Sequence, residues 1–168
     1  AALLAADLRL PREKIAGVPV CQADAGPPPP LPDAGPLRVL LVATYIPLHG
    51  VETVVEAARL LGGDGVRITV VGTGQTDAEI APRGAGVRGL ELVGRFEAPE
   101  DIARRLAASH VGLGIFGATG KAARVVPLKA ALTLAHGRVL VTRESGAATE
   151  AFGAGGALLV PPADPAAL

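Results

Sequence analysis

One cysteine, one tyrosine, three phenylalanines and neither methionine nor tryptophan occur in the 168 residues. Each shortage closes off a class of function. A lone Cys21 forms no internal disulfide and no thiolate metal cluster, and reads as a small, partly buried apolar residue. Aromatics at 2% leave almost no platforms on which bases could stack. Sixteen basic residues against sixteen acidic ones give a formal net charge of zero, which denies the broad cationic surface that nucleic acid needs. No apolar run is long enough to span a bilayer, and no basic-then-apolar leader opens the chain. The simplest expectation is a soluble, cytoplasmic domain. The three histidines, His49, His110 and His136, fall on unrelated elements, so no catalytic triad and no metal-ligand spacing is present. The first residues, AALLAADLRL without an initiating methionine, read as the end of a helix already under way. That sets the expectation of a piece cut from a longer protein.

What is present is apolar runs alternating with helical spacing. Residues 1–10 suggest a short helix stopped by Pro11, and IAGVPV at 15–20 a brief edge strand. ADAGPPPPLPDAGP at 23–36 reads as a semi-rigid linker, dividing a remnant at 1–22 from a domain at 37–168. A proline run of this kind also suits recognition by a partner domain. Continuous apolar runs at 38–43, 66–71, 89–93, 111–116, 138–142 and 157–160 predict six strands covered on both faces. Between them, helices are expected at 51–61, 77–81, 99–108, from about Val126, and at 146–152. Pro82 should end the second of these. The alternation calls for an α/β fold: a doubly wound, parallel six-stranded sheet with helices on both faces. Ligands bind such sheets beyond the C-terminal ends of the strands. Those ends are residues 44–50, 72–75, 94–96, 117–121 and 143–146, each of them containing glycine.

The stretch from Gly112 to Gly137 carries most of the chemistry. A strand, a loop with Gly117 and Gly120, then an apolar helix is how such folds present backbone N–H groups to an anion. Two of the chain's three lysines, Lys121 and Lys129, lie here with Arg124 between them, and no acidic residue occurs between Asp101 and Glu144. A cationic loop at a helix start suits a phosphate or diphosphate; otherwise it is an ordinary βα connection with solvated cations. Lys129 in a first helical turn opposes the dipole unless an anion offsets it, and Pro127 is tolerated at a first helical position. Glu52, Glu56 and Arg59 occupy a solvated helix face. Gly72-Thr73-Gly74 lacks the third glycine and the acidic ribose partner of a nicotinamide site.

With these ends placed, the chain resembles the C-terminal half of a group 1 retaining glycosyltransferase, a family built from two facing Rossmann-like domains (the GT-B fold). The resemblance runs from about Ile15 to Leu168. It rests on PREKIAGVPV, RVLLVATYIPLHGVETVVEAARLL, ITVVGTGQ, LELVGRF, GIFGATGKAARVVPLK and ALLVPPADPAAL in that order and spacing. It implies a domain that binds a nucleotide-sugar donor, UDP- or GDP-linked, without a metal or other cofactor. It also implies that most of an N-terminal acceptor domain is missing, and that this fragment alone is inactive. In the full-length protein, peripheral contact with a membrane fits the resemblance as well.

Residue by residue, the family's diphosphate-holding Arg and Lys fall at Thr44 and His49, where His49 could donate a hydrogen bond or carry charge. The resemblance places the donor diphosphate and sugar against His49, Gly50, Gly117, Thr119, Gly120, Lys121, Arg124 and Lys129. It places the base and ribose near Gly72, Thr73, Gly74, Arg95, Phe96 and Leu132. Outside that role, His49 is an ordinary loop histidine, Arg95 a solvated arginine and Phe96 a core residue. The family's two glutamates, one toward the sugar and one toward the ribose, fall at Arg124 and Leu132. A subset of the family carries a basic residue at the first place. A leucine at the second cannot accept the ribose hydroxyls, a loss of roughly 1–3 kcal/mol or one to two decades of affinity. The competing expectation is therefore a degenerate nucleotide-binding or scaffolding domain without transferase activity.

Overall fold

The structure, a computed structural model, describes Arg9, residues 11–16, residues 26–32 and residues 35–168. The helix expected at 1–10, Cys21 and most of the strand expected at 15–20 lie outside the described residues. Arg12–Lys14 forms a single 3-10 turn, and Ile15 and Ala16 join no strand.

Six strands form one sheet: β1 (Leu37–Val42), β2 (Val66–Val71), β3 (Leu90–Leu92), β4 (Val111–Leu113), β5 (Val139–Arg143) and β6 (Leu158–Val160). Every neighbouring pair is parallel, in the order β3-β2-β1-β4-β5-β6. The order reverses between β1 and β4, whose register sets Leu41 beside Leu113. The helices are α1 (Val51–Leu61), α2 (Asp77–Gly84), α3 (Pro99–Ala107), α4 (Leu128–Ala135) and α5 (Gly146–Phe152).

Period-two alternation along β1 divides the core. Val39 and Leu41 join Val54, Val55 and Ala58 of α1 and Ile80 of α2. Leu40 faces the other way, with Val71 and with Ile102 and Leu106 of α3. Full burial of each such side chain stabilises the fold by roughly 1.5–3 kcal/mol. α1 ends at Gly62, whose φ of 63° closes the helix through its N–H to Ala58 and Arg59 carbonyls.

Three boundaries differ from expectation by more than one residue. α2 continues through Pro82 to Gly84. Pro82 is exposed and the helix closes two residues later, so one ladder bond to Ala78 is the whole loss. β4 ends at Leu113 rather than at residue 116, although Gly114 N–H still donates to Val141 O (2.8 Å) and Arg143 N–H to Ile115 O (2.9 Å). α4 begins at Leu128, with Pro127 outside it as the N-cap in extended conformation (φ −76°, ψ 147°). A residue without an N–H still serves there, because its carbonyl accepts from Ala130 N–H at 3.0 Å.

Candidate functional site

The sheet's topological switch point lies between the loop after β1 and the loop after β4, and their backbones meet there. Phe116 N–H donates to His49 O (3.0 Å) and Gly117 N–H to Leu48 O (3.2 Å). That approach requires glycine on both sides. A Cβ at Gly117 would lie 2.0 Å from Pro47 O, and one at Gly50 would lie 2.6 Å from Gly117 N. Gly50 is also left-handed, at φ 64°, where it turns the loop into α1. The loop after β2 is held equally close: a Cβ at Gly72 would lie 1.8 Å from Ala43 O, and Tyr45 N–H donates to Thr73 O (3.1 Å).

No side chain caps α1 or α4 at its N-terminus. The first-turn N–H groups of both helices therefore have no side-chain acceptor at the cap. On the second residue of α4, Lys129 has its Nζ enclosed with no hydrogen-bond partner. Burial lowers its pKa from 10.5 to about 7. Its charge reaches His49, whose pKa falls to about 4, first through burial, then through Lys129, with the Thr44 carbonyl opposing. His49 Nδ1–H donates to that carbonyl. A pKa near 4 favours the neutral imidazole at pH 7, so of its two expected roles the charged one is disfavoured and hydrogen bonding is left, with Nδ1 already engaged by Thr44.

The other two cations sit differently. Lys121 and Arg124 are exposed, at the start and end of a 3-10 turn (Ala122–Arg124 is its span). Thr119 Oγ1 accepts from Ala122 N–H at 3.2 Å and so holds the turn. Gly120 is exposed, with nothing near where its Cβ would be. Among the described residues, no carboxylate forms an ion pair with Lys121, Arg124 or Lys129.

Toward the other strand ends, Thr73 Oγ1 donates to the Asp77 carboxylate, and a Cβ at Gly74 would lie 2.7 Å from Tyr45 N. Arg95 is exposed and pairs with Glu97 at 3.4 Å. Phe96 is 59% exposed, so the expectation of a core role for it fails. It projects from the loop after β3 as an uncovered aromatic face. Leu132 packs against the cluster of Leu40, Val71, Ile102 and Leu106. His136 caps the C-terminus of α4, with Nδ1 2.9 Å from Leu132 O. His110 Nδ1 accepts from Arg38 N–H at 2.9 Å.

Two residues of the site escaped the sequence reading. Arg143 is buried at the end of β5; its Nη1 donates to Gly117 O and its Nε to Glu144 O (3.2 Å), pinning the loop after β4. A charged residue closing an apolar strand is the signal that could have marked it. Tyr45, in the loop after β1, is buried, and its Oη has no partner. Burial, and then Asp77, push its pKa up to about 12.

Residues 36–168 match the family described as glycosyl transferases group 1. A search of curated protein sequences finds no match. Among solved structures, the catalytic domain of cholesterol-α-glucosyltransferase from Helicobacter pylori superposes with a TM-score of 0.64 at 15% identity, over 79% of this chain and 80% of that one. The C-terminal domain of a glycosyl transferase group 1 family protein from Francisella tularensis gives 0.58 at 16%, over 80% and 71%. A UDP-forming α,α-trehalose-phosphate synthase from Burkholderia vietnamiensis gives 0.59 at 22%, over 79% of this chain but only 35% of its own length. Trehalose-6-phosphate synthase in another structure is likewise covered over only 34% of its length. At these identities the likeness establishes the fold.

Proposed function

The chain belongs to the group 1 glycosyl transferases, and from that premise we propose that it binds a nucleoside-diphosphate sugar at the switch point and serves retaining transfer to an acceptor. The observation that carries this reading is the enclosed, unpartnered ammonium of Lys129 beside His49. A buried cation without a counter-ion is destabilising. It becomes favourable once an anion lies against it, and the uncapped N-terminus of α4, on whose second residue Lys129 sits, favours the same charge. A diphosphate fits that requirement. Its negative charge grows as the bond from the anomeric carbon to the phosphate oxygen breaks and the electron pair moves onto the leaving group. The acceptor hydroxyl oxygen then bonds to the anomeric carbon, and its proton passes to the departing phosphate oxygen. Lys129 and the N–H groups of the loops would stabilise that developing charge without reorganising. Arg124 and Lys121, exposed at the rim, would contact the distal phosphate or the sugar, and the base and ribose would lie along 72–74 toward Arg95 and Phe96.

Calorimetric titration of UDP and of GDP into the protein and into Lys129→Met tests this. Binding that weakens at least tenfold in the variant is expected, an interaction of about 1.4 kcal/mol or more. Equally poor binding of both nucleotides to both proteins removes the reading.

One observation favours a second reading. Leu132 is engaged in the hydrophobic core, so the ribose has no carboxylate at that place, and a scaffolding domain with a weakened nucleotide grip fits this well. Donor hydrolysis or transfer by the full-length protein supports the enzyme; nucleotide binding with neither supports the scaffold.

A further inference from the structure

The proline run contains a contact that the donor site does not use. Arg138, between α4 and β5, is 2% exposed. Its Nε donates to Leu106 O (3.1 Å), and its Nη2 reaches Ala107 O (3.1 Å), Pro29 O (2.9 Å) and Pro30 O (3.0 Å). Beside it Gly137, at φ 65°, lies so close to the run that a Cβ would sit 2.6 Å from Pro28 Cβ.

The chemistry of the two sides is complementary in a specific way. Prolines have no N–H, so Pro27–Pro30 offers the domain carbonyl acceptors and nothing else. Arginine is a donor with no acceptor, in a planar fork that can serve several carbonyls at once. Two of its partners are carbonyls at the C-terminal end of α3, where the dipole favours a cation. Among the described residues no carboxylate pairs with Arg138. Its Nη1 has no partner, so the proline carbonyls are two of only four acceptors that meet the buried guanidinium. A polyproline segment is already extended before it docks, so little conformational freedom is lost on binding.

We infer that Arg138, Gly137 and the carbonyl end of α3 form a receptor for the chain's own proline run. Residues 28–30 are then a fixed part of this domain, and any reorientation of the preceding chain is taken up N-terminal to Pro28. The run is a strut and not a tether. If the full-length protein carries an acceptor-binding domain ahead of it, Arg138 acts as a positioning residue that sets where that domain's chain enters.

The test places a nitroxide on Leu31→Cys in a Cys21→Ser background, Leu31 being exposed next to the run. A second label on Leu60→Cys, an exposed α1 position, reports whether the domain stays folded. The expected spectrum at position 31 is motionally restricted, tumbling with the domain. Arg138→Leu should convert it to a fast component while the label at 60 is unchanged. Gly137→Ala, which keeps the arginine and displaces Pro28, should do the same in part, and it decides the matter if Arg138→Leu fails to fold. A fast spectrum at 31 in the unsubstituted background overturns the inference. So does a restricted spectrum that survives both substitutions.

Discussion

Individual residues in the crevice have opposite relations to stability and to binding. Tyr45 buries a hydroxyl that donates to nothing. Removing it deletes an unsatisfied polar group at no loss of packing, so Tyr45→Phe should raise stability by about 1 kcal/mol. A lower denaturation midpoint in the variant would show a partner for that hydroxyl. Lys129 is the larger case. Its folded pKa, about 7, lies below its unfolded value of 10.5, so between those values the unfolded chain binds more protons. Stability contributed by this site therefore rises as pH increases from about 7 to about 10, and the full penalty is present below about 7. Lys129→Met should melt higher than the parent at about pH 6 and should flatten that rise, seen in thermal melts across the range. Arg124 is exposed with no ion-pair partner among the described residues. Arg124→Ala should leave the melting temperature nearly unchanged while weakening nucleoside diphosphate binding about tenfold. A drop in melting temperature with binding intact reverses that assignment. The contrast among the three cations was not legible in the sequence. Spacing groups Lys121, Arg124 and Lys129 as one cationic loop, but only the packing of α4 shows that one ammonium is desolvated and two cations are not. Phe96 shows the same limit, since an aromatic after a strand reads as core until the absence of a covering element is seen.

At the scale of elements, legibility followed periodicity. α1, β2 and α5 have the spans that their sequence patterns indicate, because their apolar spacing is regular and glycines mark the turns. The 3-10 turn at Ala122–Arg124 was missed because three residues show no period. The glycines at the strand ends were recognised as places of close approach, yet the sequence does not rank them. The geometry does. Gly117→Ala would drive a Cβ into Pro47 O and separate the loops after β1 and β4, whereas Gly120 has open space around it. Gly117→Ala should destabilise by about 1–3 kcal/mol and abolish nucleotide binding. Gly120→Ala should be within about 0.5 kcal/mol of the parent. Equal effects in chemical denaturation would mean that the two loops do not bear on each other.

For the whole molecule, the parallel sheet and its place in the group 1 glycosyl transferases were legible from the order of motifs. The topology explains why the two loops meet. Reversal of strand order between β1 and β4 sets the loops after these strands side by side, a result of connectivity and not of any single motif. The anchoring of the proline run by Arg138 was not legible, because it joins positions 108 and 109 residues apart. Among the described residues no helix is long and apolar enough to cross a membrane.

The central claim is that Lys129 meets a diphosphate in that crevice, and proton linkage tests it most directly. At about pH 8 the free lysine is mostly neutral, and an anion beside it restores its charge, so binding must draw a proton from the buffer. UDP titrations in two buffers of different ionisation enthalpy measure that uptake. The account predicts close to one proton per UDP bound, absent in Lys129→Met. Binding with no proton uptake, or uptake that persists in the variant, contradicts it.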